Sequence, residues 1–371
     1  MTYPTTAHTD LAAIEANLAG IRARVGTRLV LAAVKANGYG HGAVAVSRHC
    51  ERTGAADWLG VATTEEGVEL REAGITLPIL KLSPARGDEV PAALAAGITL
   101  PVVDAASVTE IADAAVQLGL SGVNVHLKLD TGMRRVGAEP DQAVALAKAI
   151  DATGRLDLQG LFSHLPISDA PAGKAFTEHQ IARFTETIRT VEEARGPVPL
   201  KHLANSGGVL DHPESWFDLV RPGIMIYGSY PDPETSHSVQ LTEALRWTTR
   251  VSYLKRVPAG ETVGYGRTWS APEPRWIATI PVGYGDGYSR LLSNRGRVLI
   301  NGHAHPIAGR VCMDQTMIDL GPEPSAKVGD EVVLIGSSGA ERISVAEVAG
   351  LMGTIPYEVS CLITNRVTRT H

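Results

Sequence analysis

The sequence predicts an α/β fold, with an N-terminal (β/α)8 TIM-like barrel followed by a C-terminal, mostly-β domain. Three observations lead there. Short apolar runs alternate with alanine-rich helical stretches over residues 28–228, the pattern of a parallel sheet covered on its faces. Eight such alternations in about 200 residues suit a closed barrel better than an open sheet. After Tyr230 the texture changes to alternating stretches separated by Gly/Pro turns, which reads as a β domain.

Taken in order, Leu11, Ile14, Leu18 and Ile21 form one face of a helix ahead of the first run. The strand candidates are Leu29–Val34, Leu59–Ala62, Ile79–Leu82, Ile98–Val103, Val123–Leu129, Leu158–Phe162, Leu200–Leu203 and Leu219–Ile226. Between them, Thr63 to Glu66 spells a capping box, and Gly74 and Pro78 end that helix. Val108, Ile111 and Ala115 recur at helical spacing before Gly119, and 142–150 and 179–194 predict two more helices. The polar, turn-rich segment 231–236 reads as a link. The barrel domain is therefore expected at 1–238, its first few residues able to pair with the second domain, and the β domain at 239–371. In the latter the strand candidates are Thr248–Val257, Trp276–Val282, Arg297–Ile300 and Glu331–Ile335.

Bulk properties narrow the function. The chain has 371 residues, 44% apolar and 20% charged, with a net charge of −6, which is average globular usage with room for a sizeable core. No basic run points to nucleic acid. No apolar stretch approaches the roughly 20 residues of a bilayer span, and the N-terminus lacks a signal-peptide pattern. Cys50, Cys312 and Cys361 are odd in number and far apart, as expected of free thiols in a cytoplasmic protein.

A barrel places its chemistry at the carboxyl ends of its strands. Here those ends offer Lys35, then Lys128 and Asp130, then Ser163 and His164, then Asn205 and Ser206, then Arg221. Lys35 closes an apolar run, and burial lowers a lysine pKa, making the amine a nucleophile for aldehydes. The same residue would also suit a strand-end ion pair. Asn205 to Gly208 and Arg221 to Ile224 follow strands seven and eight, where glycine-exposed N–H groups commonly hold phosphate; they also read as ordinary turns. A phosphate site and an aldehyde-seeking lysine together favour pyridoxal 5′-phosphate as the occupant.

At eight segments the sequence resembles the alanine racemases. These are Val34-Lys-Ala-Asn-Gly-Tyr-Gly-His-Gly42, His126-Leu-Lys-Leu-Asp-Thr-Gly-Met133, His202-Leu-Ala-Asn-Ser206, Arg221-Pro-Gly-Ile-Met-Ile-Tyr-Gly228, Val263-Gly-Tyr-Gly-Arg-Thr268, Val282-Gly-Tyr-Gly-Asp-Gly-Tyr288, Gly309-Arg-Val-Cys-Met-Asp314 and Gly353-Thr-Ile-Pro-Tyr-Glu358. They stand in the family's order and span nearly the whole chain. The resemblance implies a pyridoxal-phosphate-dependent isomerase that interconverts L- and D-alanine and supplies D-alanine for peptidoglycan. It implies Lys35 and Tyr265 as the two proton-exchanging groups, with His164 and Arg221 beside the phenol. From the residues alone Tyr265 is a turn aromatic between two glycines. The resemblance further implies that Arg221 faces the cofactor's ring nitrogen, and that Tyr39, Ser206, Tyr357 and backbone near Gly223 and Ile224 hold the phosphate, with His164 and Asn205 also near the cofactor. Arg135 and Met313 would bind the substrate carboxylate, Tyr284 would narrow the substrate entrance, and Lys128 would be the lysine that carries a carbamate. Neither metal nor nucleic acid nor membrane is expected, and a homodimer with shared sites is.

Three features depart from the family pattern: the stiff segment Leu165–Pro171, Arg134 where glycine is common, and Lys81 inside an apolar run. Competing expectations are a racemase of the same architecture that takes serine or a broader set, and a barrel-type amino-acid decarboxylase. Pocket volume separates the first, since one methylene is worth only ~1–3 kcal/mol. The motifs of the second domain, and an arginine rather than an acid at position 221, disfavour the second.

Overall fold

The computed structural model describes residues 4–371. Its contacts divide the chain into two units. One comprises Ile14–Gly38 and Ala43–Thr242; the other comprises the residues up to Ala13, Tyr39–Gly42 and Glu243–His371.

The first unit is the barrel. Its strands are β1 (Leu29–Ala33), β2 (Trp58–Val61), β3 (Ile79–Lys81), β4 (Ile98–Val102), β5 (Val123–Lys128), β6 (Leu156–Phe162), β7 (Leu200–His202) and β8 (Leu219–Val220). They pair in parallel in sequence order, and β8 pairs back onto β1 with Leu29 opposite Leu219. β7 and β8 share no ladder. Asp218 N donates to Lys201 O (3.0 Å) and Arg221 N to Ala204 O (2.9 Å), so the barrel is nearly closed. Leu31, Trp58, Leu80 and Leu219 pack together from four strands, each large side chain contributing roughly 1.5–3 kcal/mol by leaving water.

Helices lie where the periodicity put them. Leu11–Val25 buries Ile14, Leu18 and Ile21 completely. Thr64–Glu72 has the predicted capping box, Thr63 accepting from Glu66 N and Glu66 reaching back to the Thr63 backbone. Ala105–Gln117, Ala143–Ala152 and Lys174–Arg195 follow. The eighth apolar run leaves the strand early because Pro222 has no N–H for a ladder, and Ile224–Tyr227 becomes a 3-10 turn.

The second unit is mostly β. A seven-stranded sheet runs His303–Pro306, Arg297–Ile300, Glu331–Ser338, Leu245–Arg250, Thr6–Thr9, Thr368–Thr370, with Glu341–Ile343 on the side of Glu331–Ser338. Three strands, Tyr253–Val257, Arg275–Ile280 and Thr316–Gly321, make a second sheet. Trp247, Ile280, Leu299, Val333 and Ile335 belong to one buried core. The stretch expected as Thr248–Val257 is in fact two strands that belong to different sheets. Thr6–Thr9 pairs antiparallel with Leu245–Arg250 and parallel with Thr368–Thr370, tying the chain's start to this unit. No helix among the described residues is long and apolar enough to cross a membrane.

Lys81, anomalous in an apolar strand, is fully buried with its Nζ on Glu89 Oε2 (3.0 Å) and Pro84 O (3.0 Å). It clamps the loop after β3. Glu89→Ala leaves that ammonium without its anion and should cost roughly 1–3 kcal/mol in urea unfolding. Lys81→Met, which removes the charge along with its need for a partner, should cost less.

Candidate active site

Lys35 is half-buried at the end of β1, and the chain behind it turns the wrong way. Ala36, Asn37, Gly38 and Tyr39 have φ of 53°, 52°, 63° and 52°. Left-handed backbone costs an L-residue about 1–2 kcal/mol, so the neighbours must hold it. Ala36 N donates to Glu66 Oε1 (2.6 Å), Ala43 N to Asn37 Oδ1 (2.9 Å), and Gly38 N to Val34 O (2.7 Å). Tyr227 Oη donates to Ala33 O (2.9 Å). Glu66 also accepts from Ala62 N (2.7 Å), so one carboxylate fixes the loops after both β1 and β2. The capping box was legible in the sequence; this second role of Glu66 was not.

Arg221 is buried beyond the end of β8 with no carboxylate beside it among the described residues. Its Nη2 donates to Ser163 O (2.6 Å), Leu203 O (3.1 Å) and His164 Nδ1 (3.3 Å), and its Nη1 to His202 Nδ1 (2.8 Å). Burial pulls its pKa down to about 9, which still leaves it charged at neutral pH. Burial first, and then the charges of Arg221, Lys128, Arg135 and Lys35, hold His164 far below the usual imidazole value. With Nδ1 occupied by an arginine donor, neutral His164 carries its hydrogen on Nε2.

Lys128 ends β5. Its Nζ donates to Leu82 O (3.0 Å) and lies 4.8 Å from the Phe162 ring centroid. Burial, then the charges of Arg221, Arg135 and Lys35, lower its pKa from 10.5 to about 7, with Asp130 opposing. The loop beyond is built by Asp130, whose Oδ1 accepts from Gly132 N (2.9 Å) and Arg134 N (3.1 Å). Arg134 has φ 59°, the conformation that glycine adopts without strain, which accounts for glycine being common there. Arg135 follows, exposed. Thr131 Oγ1 meets Ser163 Oγ (2.8 Å), and Gln180 Nε2 bridges Thr131 Oγ1 and His164 O (both 3.3 Å).

After β7, Ser206 Oγ accepts from Gly223 N (3.0 Å), joining the two glycine-bearing loops. Asn205 is used differently from the expectation of a cofactor contact. Its Oδ1 accepts from Ser168 Oγ (2.7 Å) and Gly208 N (3.1 Å), and its Nδ2 donates to Leu165 O (3.0 Å). Its amide therefore ties down the departing loop 165–171 and supports Ser206.

The barrel unit thus brings together Lys35, Lys128, Arg135, His164, Arg221, Ser206, Gly223 and Ile224. Tyr39, Tyr357, Tyr265, Tyr284 and Met313 belong to the second unit. There Tyr39 and Tyr357 have ring centroids 6.0 Å apart, and burial pushes the Tyr39 phenol upward. Tyr284 N donates to Cys312 O (3.0 Å) and Gly285 N to Met313 O (2.9 Å), which sets these two loops side by side. Tyr265, Tyr284 and Met313 are 73%, 42% and 52% exposed.

The donor set fits pyridoxal 5′-phosphate. Lys35 offers an amine. Arg221 is a buried cation whose hydrogen-bond partners among the described residues are carbonyls and imidazoles, so its remaining N–H groups suit a neutral ring nitrogen. Ser206 accepts from Gly223 and keeps its own hydroxyl hydrogen to give to a phosphate. Sequence reasoning missed His126 and His202, both fully buried beneath Arg221. The period-two placement of His126 and Lys128 on one face of β5 was the available signal.

Comparison with known proteins agrees across the chain. Residues 9–231 match the model of the alanine racemase N-terminal domain, and residues 244–371 that of the C-terminal domain. The alanine racemase of Cutibacterium acnes is 51% identical over 99% of this chain and 97% of its own length. That of Symbiobacterium thermophilum is 41% identical over 99% and 96%. Among solved structures, alanine racemase from Clostridium difficile superposes with a TM-score of 0.92 at 34% identity, covering 100% of this chain and 96% of that one. The enzyme from E. faecalis gives 0.91 at 35%, covering 100% and 99%.

The depressed Lys128 pKa has a measurable sign. Between about 7 and 10.5 the unfolded chain holds the proton that folded Lys128 has released, so stability rises with pH across that window, and the burial penalty is fully present below it. In buffer freed of carbon dioxide, where Lys128 stays an amine, urea midpoints at the two ends of the window should differ more for the parent than for Lys128→Met.

Proposed function

The chain belongs to the alanine racemase family, which depends on pyridoxal 5′-phosphate, and we propose that it exchanges the α-proton of alanine between Lys35 and Tyr265. The observation that carries this reading is the buried Arg221 without an acid, set among Lys35, Lys128 and neutral His164. The cofactor, when bound, supplies an electron-withdrawing ring that acidifies the substrate's α-proton.

The residues do the rest. Lys35 Nζ would hold the cofactor until the substrate amine displaces it, and the amine so freed takes or returns the proton on one face of Cα; Tyr265 Oη serves the other. A phenol with pKa near 10 is a weak base at neutral pH, and a donor aimed at its oxygen lowers that value. His164 Nε2–H is that donor, and Arg221 fixes it through Nδ1. Arg221 donates and cannot accept, so it leaves the ring nitrogen unprotonated and restrains the pull that would lead on to transamination. Ser206, Tyr39 and Tyr357 with the backbone near Gly223 and Ile224 hold the phosphate, and Asn205 acts through Ser206. Arg135 pairs with the substrate carboxylate through its two-pronged fork, with Met313 backbone beside it and Tyr284 limiting substrate size. Carbon dioxide added to the neutral Lys128 amine gives a carbamate and a proton, and the new anion orients Arg135.

Tyr265, Tyr284 and Met313 expose apolar surface, as expected of groups that act on a second copy's site in a cytoplasmic homodimer. The relatives compared are alanine racemases, which leaves serine preference and decarboxylation without support. D-alanine made this way would enter peptidoglycan.

Lys35→Ala should lose both racemisation and the visible, borohydride-sensitive absorption of a lysine-held aldehyde, checked by spectrophotometry and D-alanine assay. Tyr265→Phe should keep the absorption and lose roughly 10²–10⁴-fold in rate. Arg221→Glu should raise pyruvate formed per racemisation turnover, because an acid strengthens the electron sink. An unchanged ratio would sink the role given to Arg221.

A further inference from the structure

His126 on β5 and His202 on β7 exchange no proton with substrate, yet both are fully buried next to the cation on which the site depends. Their hydrogens can be placed by elimination. Arg221 Nη1 lies 2.8 Å from His202 Nδ1. A guanidinium only donates, so that nitrogen presents its lone pair, and the hydrogen of a neutral ring must then sit on Nε2. His202 Nε2 lies 2.9 Å from His126 Nδ1, which must accept in turn. His126 is left with its hydrogen on Nε2, 3.2 Å from Gln159 Oε1, an atom able only to accept. One donor at one end dictates the direction of all three bonds.

The packing holds the rings to this arrangement. Phe162 stacks on His202 at 4.8 Å and 5°, and Trp58 flanks His126 at 5.6 Å. A Cβ at Gly160 would stand 2.7 Å from His126 Nδ1, so only glycine there leaves the ring its place. Burial, with the charge of Arg221 adding to it, keeps both imidazoles neutral, as one-way donation requires.

We propose that Gln159, His126 and His202 form a one-directional hydrogen-bond relay that locks His202 in its Nε2–H form and thereby positions Arg221. His126 and Gln159 are then positioning residues that restrain transamination from within the barrel, a consequence that rests on the role of Arg221 given above. Without an acceptor at position 126, the Nε2–H of His202 is left buried and unmet, and only the Arg221 contact still favours that tautomer. The other tautomer turns an N–H toward the guanidinium and releases it.

The test is ¹⁵N imidazole spectroscopy of histidine-labelled holoenzyme, with signals assigned by substitution. The parent should show His202 and His126 with a bare Nδ1 and a protonated Nε2. His126→Phe removes the acceptor; His126→Asn keeps an amide oxygen near where Nδ1 stood. The Phe variant should give a mixed or reversed His202 tautomer and raise pyruvate per racemisation turnover about tenfold, the size typical of losing a supporting partner. The Asn variant should restore both readouts toward the parent. Gln159→Leu, cut from the far end of the chain, should move both in the same direction by less, and it stands in if the Phe variant does not fold. Hydrogen on Nδ1 of parental His202 would overturn the relay, and so would equal ratios in the Phe and Asn variants. An Arg221→Glu ratio that does not rise overturns the role of Arg221 at the cofactor instead, while the parental spectra still report the relay itself.

Discussion

A buried guanidinium with no anion beside it sets the terms for the barrel's active end. Taking such a charge out of water costs several kcal/mol even after relaxation, and Arg221 recovers this through two carbonyls, two imidazoles and the face of Phe162. Charge-assisted hydrogen bonds are the strong kind, but they require acceptors. That demand keeps His164 and His202 neutral with bare Nδ1 atoms. The same charge bears on Lys128 and helps to bring its amine near neutrality. A carboxylate at this point would relieve the arginine and undo all three effects.

The second constraint is geometric. Lys35 must end β1 and still face the site, and the chain achieves this by running left-handed through three non-glycine residues. The strain is held by partners distant in sequence, chiefly Glu66, thirty positions on. Strain of this sort persists only where the surroundings over-determine it, and it concentrates at functional sites. The helix after β2 thus has two roles: it packs on the barrel, and its cap carboxylate anchors the backbone next to Lys35.

In the second unit the loops bearing Tyr284 and Met313 are held by backbone hydrogen bonds and by a buried carboxylate–arginine network. Buried Asp286 accepts from Gly283 N (2.9 Å) and pairs with Arg366 (3.3 Å), and Arg366 reaches on to Asp314 (2.8 Å). The loops bearing Tyr284 and Met313 are locked to each other while their side chains remain exposed. A rigid base under an exposed aromatic suits a group that meets its partner elsewhere, since little ordering remains to be done on contact.

The sequence by itself determined the order and number of barrel strands, the capped helix at Thr63, and the β character of the second domain. Apolar period and capping chemistry are local properties that survive without knowledge of the fold. It also named the lysine, histidine and arginine at the strand ends, because a barrel sends those positions to one face. Only the tertiary structure decided that Tyr39 to Gly42 belong with the second unit although Lys35 does not, that Asn205 ties down a loop, that Lys81 is a clamp, and that His126 and His202 stand under Arg221. Each of these depends on which atoms meet across tens of residues. Hydrogen-bond direction and burial arise from those meetings, and the spacing of residues along a chain does not encode them.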